Sequence, residues 1–376
     1  MRVRTRRRQA TEGIRLREVW REAWRNVSTG ATRALLGIAV FVVSIGAIGW
    51  FEASSVAGVA REAQSFREAG ATVQVIALSG RIDGAQCDAL SSYPGIAASG
   101  AVRSADDVRL AVSPSTSLPT FDATPGMAGV LRVKPTSGQG ASGGVWLAGD
   151  LADVLAVDGS RTSVPLSNGA SMTASGVFAY PTDGRLPTLA YTLVSPVPAQ
   201  GVFDACWVEV WPEAVSTVDL LSLPVLPPAP GQDASQPQAQ QLNSTLGTQF
   251  DAQGRLAKVP VWPMTGAAVL LAVGLGVVLI RLRRLELASA LHAGLGSTAL
   301  ALQVAFETLV WLFIAVALLL PAEWWIAAHA NPDPALVAFY PAARATMLAA
   351  AATLIAAVSQ AALTREKHLF RYFKNR

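Results

Sequence analysis

The chain has 376 residues, 51% of them hydrophobic, with a mean hydropathy of +0.37. That exceeds one average domain in length and is too apolar for a simple soluble protein, so a membrane protein carrying one sizeable soluble domain is expected. The net charge of +4 arises from basic residues crowded at the N-terminus, around Arg283 and at the C-terminus. Membrane topology explains that segregation, and no nucleic-acid partner is needed.

Residues 1–33 read as a cytoplasmic arm that becomes amphipathic from Ile14. Leu16, Trp20, Ala23, Trp24 and Val27 share one helical face, with Arg15, Glu18, Arg21, Glu22 and Arg25 on the others. Such a helix is expected to lie in the headgroup region, with Trp20 and Trp24 at the membrane interface against lipid. Residues 34–51 carry no charge and form the first expected transmembrane helix. A cleavable signal peptide is disfavoured, because the apolar core exceeds roughly 7–15 residues and its basic flank is very long. Gly46 and Gly49 offer sites for close helix contact.

Residues 52–258 form the expected extracytoplasmic α+β domain. A stalk helix through Val56, Val59, Ala63 and Phe66 gives way at Ala71 to strand-like runs: TVQVIAL, DVRLAV, GVLRV, GGVWLAG, SMTASGVFAY, TLAYTLV and CWVEVWP. GAQCDALSSYP and DLADVLAV suggest helices. Residues 224–241, rich in Pro, Gln and Ala, read as a mobile or extended linker. Asn243-Ser244-Thr245 matches a glycosylation acceptor by pattern alone.

The second transmembrane helix is expected at 259–280, a short cytoplasmic helix at 281–294 and the third span at 295–320. An outer loop at 321–340, the fourth span at 341–363 and a basic tail at 364–376 complete the chain. Trp324, Trp325 and Tyr340 suit an interface. The arm holds ten arginines against three acids, the loop three against one, and the tail five basic residues against one. Residues 52–258 reverse the balance, with eleven basic against eighteen acidic. Positive-inside bias therefore places both termini and the 281–294 loop in the cytoplasm of a multi-pass protein of a bacterial cell membrane. The fold class that follows is a membrane protein with four transmembrane helices and one α+β extracytoplasmic domain inserted between helices 1 and 2.

Cys87 and Cys206 are the only two cysteines. Both lie in the expected outside domain, where an oxidising compartment permits a disulfide, the alternative being two separate buried thiols. His292, His329 and His368 fall in three different regions and none lies in the large domain, which argues against a metal site or His-dependent hydrolysis there. No G-x-x-x-x-G-K-[ST] loop occurs, so the chain supplies no P-loop ATPase site of its own, and no cofactor is expected in it. Glu307 falls about ten residues into the third span, near mid-membrane. There it marks either an interior-facing functional group or a carboxyl close enough to the inner face to snorkel or stay protonated. Arg344 is expected to snorkel outward rather than pair with it.

The stretch RLRRLELASALHAGLGSTALALQVAFE, Arg281 to Glu307, closes one span with three arginines, opens a short helix at Glu286 and breaks at Gly294 and Gly296. It resembles the loop between the second and third spans of ABC transporter permeases of the MacB/FtsX class (type VII, mechanotransmission-type). Arg284 and Glu286 fall on that family's Arg and Glu, Gly294 eight positions on at its Gly, and Glu307 thirteen later at its intramembrane acid. Leu291 departs from it, since a basic residue is common there. The entry to the first span and the run from GGVWLAG to SMTASGVFAYP are similar to MacB-like permeases more diffusely.

The resemblance implies a permease subunit, not itself an enzyme, working beside separate cytoplasmic ABC ATPase subunits that hold ATP and Mg. A second permease copy or a related permease would complete the membrane part. Arg284, Glu286, Leu287, Leu291 and Gly294 would then form the coupling helix that receives ATP-driven motion. The extracytoplasmic domain would export or extract a substrate, or control an envelope partner such as a protein or lipoprotein. The alternative from another class is a membrane-anchored sensor or scaffold with a ligand-binding extracytoplasmic domain and no ATPase.

Overall fold

A computed structural model describes residues 16–30, 32–136, 143–157, 162–211, 220–228, 238–329 and 331–365. Most of the basic tail with His368, the first fifteen residues of the arm and the middle of the 224–241 linker lie outside these. The chain divides into a helical unit, residues 1–62 with 252–376, and a sheet unit, residues 63–251.

The helical unit contains α1 (Leu16–Ser28), α2 (Ala34–Glu68, which continues into the first residues of the sheet unit), α6 (Ala252–Lys258), α7 (Val261–Leu282), α8 (Arg284–His292), α9 (Ser297–Ala328) and α10 (Ala335–Leu363). Four helical stretches of 35, 31, 32 and 29 residues, the second being α6 and α7 together, are long and apolar enough to cross a membrane. Their outward faces agree, since Val43, Leu270 and Phe313 are each more than 70% exposed, a surface suited to hydrocarbon rather than water. The chain is thus a membrane protein with a separate sheet-based unit.

One expected boundary is corrected. The outer loop assigned to 321–340 is mostly helix, because α9 runs through Pro321 to Ala328 and α10 begins at Ala335. Pro334, not Pro341, precedes the first turn of α10, where a missing N–H costs nothing because no intrahelical acceptor exists there. The helix of the first span runs on past residue 51 through the expected stalk positions Val56, Val59, Ala63 and Phe66, since α2 is unbroken to Glu68. It ends in a Schellman turn: Gly70, at φ 74°, donates to the Arg67 carbonyl while Ala71 N–H reaches Phe66 O.

Within the bundle, α7 and α10 meet along small residues. Ala268, Ala272 and Gly276 face Ala345, Ala349, Thr353 and Ala357, both rows spaced by four. A Cβ on Gly276 would approach the Thr353 carbonyl to 2.6 Å, and Thr353 Oγ1 donates to Ala272 O at 3.2 Å. Phe41 and Ile45 of α2 and Trp311 and Leu319 of α9 complete the larger apolar core.

The sheet unit holds a ten-stranded mixed sheet. Its strands are β1 (Val73–Asp83), β2 (Ile96–Leu110), β3 (Ser113–Ala123), β4 (Lys134–Pro135), β5 (Val145–Ala148), β6 (Ser163–Pro165), β7 (Ser171–Phe178), β8 (Leu193–Pro196), β9 (Val202–Val210) and β10 (Ala239–Gln241). The order is β10-β1-β9-β2-β3-β8-β5-β7-β4, with β6 also on β7, and among the described residues only β3–β8 and β5–β7 pair in parallel. Alternation of side chains along β9 gives each face its own core: Cys206, Val208 and Val210 join one cluster, Ala205 and Trp207 the other. Short helices α3 (Gly84–Ala89), α4 (Met127–Val130) and α5 (Gly149–Val154) cap the sheet. GVLRV, expected as a strand, is α4 and its following turn. The described ends of the 224–241 linker are pinned rather than free: Leu226 N–H donates to Arg81 O at 2.8 Å, and residues 239–241 are β10 itself.

Candidate functional site

In the helical unit the residues with the densest polar contacts surround α8. The turn from α7 leaves Arg283 buried between the two helices. Its Nη1 donates to Glu307 Oε2 at 2.6 Å and its Nε to Glu286 Oε2 at 3.1 Å. Glu307, also buried, accepts at its other oxygen from Asn26 Nδ2 of α1 at 2.8 Å and Gln303 Nε2 at 3.1 Å. One carboxylate on α9 therefore ties together α1, the α7–α8 turn and α9, and its ionic partner fills both its hydrogen-bonding and its charge requirement.

Apolar packing sets the depth of α8. Leu287 is buried with Ile280, Leu300, Val304, Ala357 and Ala361, and Leu291 packs partly against them. Glu286, whose side chain is 61% exposed, presents outward from the same helix. Gly294 at φ 98° ends α8 in a second Schellman turn, with Leu295 N–H on Ala290 O and Gly294 N–H on Leu291 O. The buried cation is Arg283, one residue before Arg284, which the resemblance sets on the family's Arg. Arg284 is half-buried at the first turn of α8. A cleft of about 710 Å³ runs beside α8, lined by Glu22, Asn26, Glu286, Ala290, Leu295 and Gln303 among others. Trp20 is half-exposed and meets Phe306 edge-on at 5.5 Å, while Trp24 is 57% exposed.

A second polar cluster joins residues that sequence reasoning assigned to a stalk and a loop. Glu52 of α2 and Glu323 of α9 are both buried. Thr265 Oγ1 of α7 donates to Glu52 Oε1 at 3.2 Å, and Thr346 Oγ1 of α10 donates to Glu323 Oε1 at 2.6 Å. Gly49 is what admits Glu323, since a Cβ there would collide with its carboxylate. Arg344 Nη2 reaches Thr265 Oγ1 at 3.3 Å and its guanidinium lies 4.2 Å from the Trp262 ring, both in the first turns of α7. Helical period alone would have shown Gly49 and Glu52 near one face of α2, but not which helix supplies the facing acid.

In the sheet unit Cys87 of α3 and Cys206 of β9 are joined, with Sγ atoms 1.99 Å apart. Asp88, next to that bridge, accepts from Thr124 Oγ1 and from Gly126 N–H, and burial raises its carboxyl above the ordinary range. Asn243 is fully buried, its Nδ2 donating to Ala69 O at 3.0 Å and Asp183 O at 3.2 Å, which removes it as a glycosylation acceptor in the folded unit. Among the described residues no group of three His, Cys, Asp or Glu side chains is placed to hold a metal ion. A cavity of about 510 Å³ opens between the end of α2, the α4–β4 turn and the residues after β7.

No family profile and no curated protein matches the chain. Among solved structures, a domain of a proposed permease protein from Porphyromonas gingivalis is similar over 39% of this chain and 74% of its own, at 13% identity and a TM-score of 0.29. A likeness at that level carries no argument about activity.

Proposed function

We propose that this chain is the permease subunit of an ABC transporter of the MacB/FtsX class, receiving motion at α8 from separate cytoplasmic ATPase subunits that bind ATP and Mg. The observation that carries the reading is the anchoring of α8. A short helix exposing Glu286 is held through Arg283 to Glu307, inside α9, so a force applied to α8 acts on a buried charged joint rather than on a loose loop. The match of Arg284, Glu286, Gly294 and Glu307 to that family's coupling loop supports the same assignment. In this reading both termini and α8 are cytoplasmic, the sheet unit is the extracytoplasmic domain inserted between the first two spans, and the membrane part is a dimer with a second permease copy or a related one. The sheet unit then propels or extracts a substrate, or acts on an envelope protein or lipoprotein.

The test is affinity purification of the tagged chain in mild detergent, with mass spectrometry and an ATPase assay of the product. Recovery of a P-loop subunit from the parent protein, and its loss from Glu286→Arg at unchanged yield, is the expected result; Glu286→Ala, which removes only the bond from Arg283 Nε, reports how much that contact contributes. Glu286 suits the substitution because it is exposed. A single-component, inactive preparation overturns the reading. It would favour the sensor or scaffold, for which the cavity of the sheet unit is the specific structural support.

A further inference from the structure

The cavity in the sheet unit combines an apolar floor with a cationic rim. Val73, Leu242 and Trp207, all buried, belong to one core cluster of the sheet and also line the cavity. Four cations line it as well: Arg67, Arg132, Lys134 and Arg185. Asp183 holds Arg185 through Nη2 to Oδ2 at 2.7 Å and Nε to Oδ1 at 2.8 Å. A single buried carboxylate, Glu209, serves two of the others, accepting from Arg132 Nη2 at 2.7 Å and Arg67 Nε at 3.0 Å. With Glu68, which also lines the site, three carboxylates stand against four cations. Lys134, exposed at the rim, has no ion pair among the described residues. The positive excess is therefore built into the wall.

One further observation points to a ligand, and a second marks the cationic wall as built. Trp207 is 1% exposed, and its indole N–H, which can only donate, has no hydrogen-bond partner among the described residues. Leaving such a donor buried and unpaired is costly, and an acceptor within the cavity would relieve it. Arg132 adopts φ 49°, a left-handed conformation that a β-carbon disfavours and that glycine would adopt freely. Its side chain lines the cavity and pairs with Glu209 behind it.

We propose that this cavity binds an amphipathic organic anion: one carboxylate, sulfonate or phosphate reaching from the Arg132–Lys134 rim to the Trp207 indole N–H, and an apolar body against Val73 and Leu242. The site lies wholly within the sheet unit and uses none of the residues that carry the α8 reading, so either assignment can fail without the other.

The test is isothermal titration of the full chain, in an uncharged maltoside detergent, with naphthalene-2-sulfonate, with uncharged 2-naphthol and with empty micelles as the blank. The sulfonate is expected to bind at one site per chain with a dissociation constant of about 1 mM or tighter, weakening as salt is raised. Lys134→Gln, at an exposed side chain that does not bear on folding, should weaken it about threefold, and Trp207→Phe about tenfold. Unfolding curves of both variants report whether the unit remains intact. Equal binding of 2-naphthol, no saturable binding above the micelle blank, or sulfonate affinity unchanged in Lys134→Gln overturns the proposal.

Discussion

Replacing the two partners of the Arg283–Glu307 pair, singly and together, tests whether the joint beneath α8 is a coupled unit. Both side chains are buried and the Nη1–Oε2 distance is 2.6 Å. Glu307→Leu leaves a buried guanidinium without its main counter-charge and deprives Asn26 and Gln303 of an acceptor. Arg283→Met strands the carboxylate instead. Breaking a buried pair from one side costs about 3–5 kcal/mol. At roughly 2–4 °C per kcal/mol for units of this size, each single variant should unfold about 6–20 °C lower. The double variant Arg283→Met/Glu307→Leu removes both desolvation penalties while keeping apolar volume, so it should recover about half of that loss or more. The remainder reflects the stranded amides of Asn26 and Gln303, each worth about 1 kcal/mol. Circular dichroism at 222 nm during heating in maltoside detergent reads the transition, and the double-mutant cycle isolates the pairwise term. Additive losses in the double variant, or single variants that melt with the parent, would refute the coupling.

Three other outcomes follow from the contacts of the disulfide, Gly49 and Asp183. The Cys87–Cys206 bridge closes a sequence separation of 119 residues, so reduction, or Cys87→Ser with Cys206→Ser, should lower the stability of the sheet unit by up to about 4–5 kcal/mol. A urea titration with and without reductant measures it through tryptophan fluorescence. Gly49→Ala places a Cβ on the Glu323 carboxylate and should destabilise the helical unit by about 1–3 kcal/mol, whereas Gly58→Ala in the same helix meets nothing within 4 Å and should be neutral or stabilising by up to about 1 kcal/mol. Comparative melting of the two variants decides that. Hydrogen bonds from Arg185 hold the Asp183 carboxyl below its ordinary value. Its contribution is therefore present above the unfolded value of about pH 3.9 and is lost as pH falls through the lower folded value. The stability gap between the parent and Asp183→Asn should narrow as a urea titration is repeated from pH 5 towards pH 2, and a gap that widens on acidification would reverse the sign.

Much of the helical unit was legible because hydrophobic length is a strong signal. Ala34 and Leu363, read as the outer limits of the first and fourth spans, are also the first residue of α2 and the last of α10. Gly294 was legible for a local reason, since only a residue tolerant of φ 98° closes α8 in its Schellman turn. The sheet unit was less so. Its long β2 begins IAASGAV and β3 reads SPSTSLPTFDA. Small residues and two prolines give these runs little strand propensity of their own, and pairing with β9 and with each other decides them. DVRLAV gave only the end of β2, because the alternation that marks a half-exposed strand disappears where both faces are covered.

What the sequence withheld is the choice among equivalent neighbours. Arg281, Arg283 and Arg284 are equal as positive-inside residues, and only the break between α7 and α8 turns Arg283 inward, where Leu287 packs with Ile280 and Leu300 on the buried side of α8. A shift of one residue on a helix rotates a side chain by about 100°. The matched motif therefore fell beside the buried cation rather than on it. The rows of Ala268, Ala272 and Gly276 and of Ala345, Ala349 and Thr353 carry the opposite kind of information. Their four-residue spacing is visible in the sequence, and it is this small-residue contact that brings Thr265 of α7 and Thr346 of α10 to the buried Glu52 and Glu323. Reading those rows as a helix contact would have led from spacing to proximity, and from proximity to the two glutamates that hydropathy had assigned to a stalk and a loop.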